Sequence, residues 1–133
     1  MTENVAVAVL NPSLEELLDK IIKACGEAKG KDTVLLDVSK ISDIAQYFVI
    51  VSGRSDRQVQ GISNKIIQSI TEMGIAPTSV EGLEEGQWVL MDTGDVVVHV
   101  FYEPTREYYD LEGLWASAKR LEVGSKNGGR EAA

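Results

Sequence analysis

The 133 residues suffice for one domain, and a chain of this length buries roughly two-thirds of its unfolded surface without staples. Thirteen Lys and Arg against twenty-one Asp and Glu leave a formal net charge of −8. Such a surface repels phosphate backbones, which argues against broad nucleic-acid binding, and would favour encounter with a basic protein partner, although charge alone is accounted for by solubility.

The single cysteine, Cys25, excludes an internal disulfide and points to a reducing compartment. No run approaches the ~20 apolar residues of a membrane span. The N-terminal MTENVAVAVLNPS has no basic residue before its apolar patch, unlike a leader peptide. A soluble cytoplasmic protein is expected.

Residues 1–12 carry no period and are expected to be loose. Ser13-Leu-Glu-Glu16 is a capping box that opens a first helix, with Leu14, Leu17, Leu18, Ile21, Ile22 and Cys25 at helical spacing and Gly26 or Gly30 as its stop. TVLLDV (33–38) and YFVIVS (47–52) are rich in β-branched and aromatic residues and read as strands. A second helix runs from Ser55, with Gln58 completing another capping box, to Gly74. Its stripe is Val59, Ile62, Ile66, Ile70 and Met73.

TSVEGL (78–83) is a short strand, followed by a pair, 87–92 and 96–102, around the turn Thr93-Gly94. Pro104 suits the first turn of a last helix that would bury Tyr108, Leu111, Leu114, Trp115, Ala118 and Leu121. Residues 122–133 have nothing to bury and are expected to be a disordered tail. The reading is one α/β domain over 13–121, a mixed sheet with helices mainly on one face, in the order α-β-β-α-β-β-β-α.

Enzymatic chemistry finds little support. SGRSD (52–56) joins a strand to a helix N-terminus that could hold a phosphate, but it lacks the further glycines of the Rossmann and Walker patterns and the Lys-Ser/Thr pair of the latter. A nucleotidyltransferase needs paired carboxylates near that loop. Asp37 stands alone on its strand, and Asp92 and Asp95 flank a turn where solvated acids are ordinary. One His and one Cys make no metal site, and no cofactor is implied. Cys25, on an apolar stripe, reads as a packed thiol. An enzyme using the Gly53 turn is the alternative reading.

The hairpin is more informative. With Thr93-Gly94 as its two-residue turn, Trp88 faces His99 and Leu90 faces Val97. Alternation adds Phe101 to that face and places Val89, Met91, Val96, Val98 and Val100 on the other. The aliphatic face suits packing under helices, whereas Trp, His and Phe are favoured at interfaces. His99 fits either a hydrogen-bonded core position or a partner face. With three helices to cover the sheet, the expectation is that Trp88, Leu90, Val97, His99 and Phe101 face a partner. Tyr109 and Glu112, off the stripe of the last helix, join them.

YFVIVSGRSDRQVQGI, VEGLEEGQWVLMDTGDVVVHVF and REYYDLEGLW, in this order, resemble the motifs of the ribosomal silencing factor family, also called Iojap, with the likeness running from about Ser13 to Leu121. The resemblance implies a nucleotidyltransferase-like fold without catalytic carboxylates. It also implies binding to protein fourteen of the large ribosomal subunit, a block to subunit joining when nutrients are scarce, and a homodimer when free. The family's shared surface motifs fall on Trp88, Asp92, Asp95, His99, Arg106, Tyr109 and Glu112. The chain departs from the family at Gln46, where an acid is commoner, and at Gly61, where a larger small residue is commoner.

Overall fold

A computed structural model describes residues 13–123; residues 1–12 and 124–133, the greater part of the two ends expected to be loose, lie outside it. Helix α1 is Leu14–Glu27, β1 Lys31–Asp37, β2 Tyr47–Gly53, α2 Asp56–Glu72, β3 Ser79–Glu81, β4 Trp88–Asp92 and β5 Val96–Tyr102. Two short helices follow, α3 Glu103–Tyr109 and α4 Leu111–Leu114, and then β6 Lys119–Glu122. The sheet has six strands in the order β3-β4-β5-β2-β1-β6. Only β2 and β5 pair in parallel; the other neighbours are antiparallel. The expected mixed sheet and single α/β domain are present.

The two long helices begin where side chains satisfy their free amides. Ser13 accepts from the Glu16 amide while the Glu16 carboxylate accepts from the Ser13 amide, closing the expected box. Ser55 likewise accepts from the Gln58 amide, but the box is not reciprocal: Gln58 Oε1 accepts from the Arg54 amide, and its Nε2 donates to the Lys29 carbonyl. Gln58 thus ties the start of α2 to the end of α1. Helix α1 stops at Glu27, so Gly26 lies inside it and Gly30 follows its end.

Both helices pack on one face of the sheet. Leu17, Leu18, Ile21, Cys25, Val59, Ile62, Ile66 and Ile70 meet Leu35, Val49, Val51 and the predicted aliphatic face of the hairpin, Val89, Met91, Val96, Val98 and Val100. Burial pushes the Cys25 thiol up to about 12, which keeps it un-ionised and inert. On the other face Val34, Leu36, Phe48, Ile50, Val97 and Phe101 form a second core, overlain by Trp88, Leu90, Leu111, Trp115 and Ala118. The central strands β2 and β5 are therefore buried on both sides.

Three expectations are corrected. The hairpin pairs Trp88 with Phe101 and Leu90 with His99, two residues away from the expected register. Its central residues are Gly94 and Asp95, closed by the Thr93 amide on the Val96 carbonyl at 2.9 Å. Gly94 takes φ 100°, which a β-branched threonine in the first central position resists. A shift of two preserves the faces, so the aromatic and aliphatic sides stand as read.

The long last helix does not form. Asp110 turns to φ 46° and its carboxylate accepts from the Gly113 amide, ending α3 and starting α4 in another direction. Of its expected core residues, Tyr108 and Leu114 are 81% and 78% exposed, and Leu121 is exposed too. Finally, Leu121 and Glu122 belong to β6, not to a helix or a tail, and the Val123 amide donates to the Thr33 carbonyl.

Gly61 lies mid-helix on the exposed side of α2, and an added Cβ would meet nothing within 4 Å. Gly61→Ala is expected to raise stability by ~0.5–1 kcal/mol, by removing backbone entropy from the unfolded chain. Urea unfolding reads this directly; an unchanged or lower midpoint would show that the glycine serves some packing need.

Candidate docking site

A row of rings crosses the sheet face opposite the long helices. Trp115 meets Phe48 edge-on with centroids 5.0 Å apart, and Phe48 meets His99 at the same distance. Trp88 lies 4.8 Å from Phe101, 6.1 Å from His99 and 5.1 Å from Tyr109, and Tyr109 in turn meets Tyr108 edge-on at 5.1 Å. The row begins in the core and ends in solvent.

His99 sits at the buried end, 4% exposed. Its Nδ1 accepts from the Trp88 indole N–H at 3.2 Å, which places the proton of the neutral ring on Nε2. Nε2 is buried without a hydrogen-bond partner among the described residues. Burial alone pushes the ring down to about 4.

The unfolded chain, with an ordinary histidine near 6.5, binds the proton first, so stability present above pH 6.5 is lost as pH falls toward 4. His99 is the only histidine, so the window from pH 7 to 5 isolates it. Stability is expected to fall there by roughly 2 kcal/mol, and His99→Gln, which keeps an acceptor for Trp88, should flatten the profile. An equally steep profile in the variant would assign the proton uptake to another group.

Val97, His99 and Phe101 were expected to face a partner. They are buried at 7%, 4% and 0% exposure, because Trp88, Leu90 and the 111–118 segment close over them. Trp88 and Leu90 are half-buried, and Tyr109 is 52% exposed. Asp92 and Asp95 lie at the hairpin end, where Asp92 Oδ1 accepts from the Gly94 amide and the Asp95 carbonyl accepts from the Gln46 and Tyr47 amides.

Arg106 and Glu112 belong to a separate cluster. Arg106 donates through Nε to Glu112 at 2.5 Å and through a terminal nitrogen to the Asp32 carbonyl and the Ser52 hydroxyl. Arg120 holds the other Glu112 oxygen at 2.7 Å. Burial would raise the Glu112 carboxyl, but the hydrogen bonds from the two guanidinium groups outweigh it and hold the group below the usual carboxylate range. The cluster joins α3, α4, β6 and the bulge of β1, and so fixes the helix end that carries Tyr109. The face therefore exposes Trp88, Leu90 and Tyr109, and it adds Tyr108, which its position on the apolar stripe had assigned to the core.

The phosphate reading of the Gly53 turn meets three obstacles. A Cβ on Gly53 would stand 3.0 Å from the Val59 side chain and amide, so that glycine serves close packing. The Gln58 amide of α2 is taken by the Ser55 hydroxyl, and the Arg54 amide of the turn by the Gln58 side chain. The 82–86 loop lies over the helix start, with Gly86 against Asp56 and with Gln60 Nε2 donating to the Leu83 and Glu84 carbonyls. Asp37 is occupied by the amide and hydroxyl of Ser39. Among the described residues there is no cluster of metal-ligating side chains and no helix long and apolar enough to cross a membrane.

A family model described as "Ribosomal silencing factor during starvation" matches residues 11–133. The chain belongs to the ribosomal silencing factor family. It is 47% identical to the ribosomal silencing factor of Bacillus subtilis over 95 residues, covering 71% of this chain and 80% of that one. It is 31% identical over 103 residues to the chloroplastic protein Iojap of Zea mays, covering 77% of this chain and 45% of that longer one. A crystal structure of a Chromobacterium violaceum protein superposes with a TM-score of 0.77 at 39% identity, covering 86% of this chain and 97% of that one. The names these relatives carry are those of silencing factors of the ribosome, and the mixed α/β fold is the family's own.

Proposed function

We propose that this chain is a cytoplasmic, non-enzymatic silencing factor that docks on the large ribosomal subunit through its protein fourteen and blocks joining of the small subunit when nutrients are scarce. Membership of the family carries this reading. The surface supports it: a net charge of −8 suits a basic ribosomal protein, and the exposed end of the aromatic row, Trp88 and Tyr109 with Leu90, suits a contact centre. Asp92 and Asp95 extend that surface along the hairpin. Arg106 and Glu112 shape it from behind, and Val97, His99 and Phe101 support it from below.

Free in solution, the chain is proposed to pair as a homodimer, since aromatic surface left bare is a liability and two-fold pairing is the commonest cover.

Sedimentation with purified subunits tests the reading. The chain should travel with large but not small subunits, detach as salt rises, and keep added small subunits from joining. Equal partition to both subunits, or undisturbed joining, would refute it. Light scattering at tens of micromolar should give twice the chain mass, and a single-chain mass would remove the dimer. Titration with magnesium nucleotides at millimolar concentration should give no heat; micromolar binding abolished by Gly53→Val would restore the enzyme reading.

A further inference from the structure

We propose that the cavity beside Trp88 receives an arginine side chain presented by the docking partner, an inference that rests on the docking reading above. The cavity, of about 680 Å³, opens between the 82–87 loop, the Trp88 and Tyr102 ends of β4 and β5, and helix α3. Its walls are Trp88, Tyr102, Tyr108 and Tyr109 with Pro104, and Glu85 is the one charged residue lining it. Ring faces attract cations, Trp most strongly and Tyr next. Here several rings converge on one space, two of them largely in solvent: Tyr108 is 81% exposed and Tyr109 52%.

Charge selects the occupant. An apolar side chain entering this space would offer the Glu85 carboxylate on its wall no counter-charge. A cation entering it meets a wall that offers the Glu85 carboxylate and several aromatic rings together, and the net charge of −8 draws basic surfaces toward the chain. Arginine fits better than lysine. Its guanidinium is planar, stacks on indole and phenol rings, is weakly hydrated, and has donors to spare for a carboxylate. Gln87 Oε1, which already accepts from the Thr105 hydroxyl at 3.2 Å, lies on the same wall and offers a further acceptor.

The test needs no ribosome. An isotope-labelled chain is titrated with N-acetyl-arginine methylamide, with its neutral isostere N-acetyl-citrulline methylamide, and with the norleucine derivative, while nuclear magnetic resonance follows every amide and the indole N–H groups. Arginine should give saturable shifts at Trp88, Glu85, Gln87 and Tyr109 with a dissociation constant on the order of 10 mM, as befits so small a ligand. Citrulline and norleucine should bind at least ~5-fold more weakly, and Glu85→Gln and Tyr109→Leu should weaken arginine by a similar factor. Equal response to arginine and citrulline, stronger binding of norleucine, or shifts centred elsewhere overturns the proposal.

A second arm uses the subunits. Glu85→Lys, at an exposed loop position, should weaken co-sedimentation at least ~10-fold with the melting temperature unchanged. Unaltered co-sedimentation would remove the partner from the cavity and overturn the proposal even if free arginine binds. Failure of the unmodified chain to sediment with large subunits at all is a different result, and it sinks the docking reading itself.

Discussion

Tyr109→Ala is expected to weaken binding to large ribosomal subunits at least ~30-fold, the ratio that about 2 kcal/mol implies for an aromatic anchor. The ring is half in solvent at the end of α3, tilted against Trp88 at 5.1 Å and edge-on to Tyr108. Its removal leaves the second core closed by Trp88, Leu111 and Trp115, so stability should change by less than ~1 kcal/mol. Trp88 is a poorer probe, because its indole also satisfies His99 and its truncation mixes lost binding with lost cover. Sedimentation and thermal melting of Tyr109→Ala together decide the matter. Binding like that of the unmodified chain would move the docking surface away from the aromatic row.

Phe101→Ala should do the opposite. Phe101 is fully buried, lies 4.8 Å from Trp88 and 6.2 Å from His99, and belongs to the second core. Removing so large a buried ring costs ~3–5 kcal/mol, a third or more of the stability of an ordinary domain. The melting temperature should fall by about 10 °C or more, and Phe101→Leu should recover part of the loss. A Phe101→Ala variant that melts normally yet fails to bind subunits would return Phe101 to the partner face where its strand alternation alone had placed it.

Much of this molecule is legible from near neighbours in the chain. Ser13 and Glu16 announce a helix start because the groups they satisfy lie three residues away. The split of Val89, Met91, Val96, Val98 and Val100 from Trp88, Leu90, Val97, His99 and Phe101 follows from a strand's period of two, and it survives even a two-residue error in register. The family, too, is readable from its motifs in the strands, the hairpin and the Tyr108–Trp115 stretch.

What covers the aromatic face was not readable in this way. Tyr108, Leu111, Leu114, Trp115, Ala118 and Leu121 keep a helical period, and that pattern is silent about competition from an open sheet edge. In the folded chain Asp110 adopts a left-handed conformation, which aspartate tolerates better than most residues. Residues 119–122 leave the helical path to pair with β1, some eighty positions earlier in the chain. Leu111, Trp115 and Ala118 then lie over Phe48 and Phe101, and the Arg106–Glu112–Arg120 cluster holds the bend. That outcome turns on contacts between residues far apart in sequence, and it is what changes His99 and Phe101 from surface to core. Local sterics set which side chains share a face; long-range pairing set which of those faces meets water.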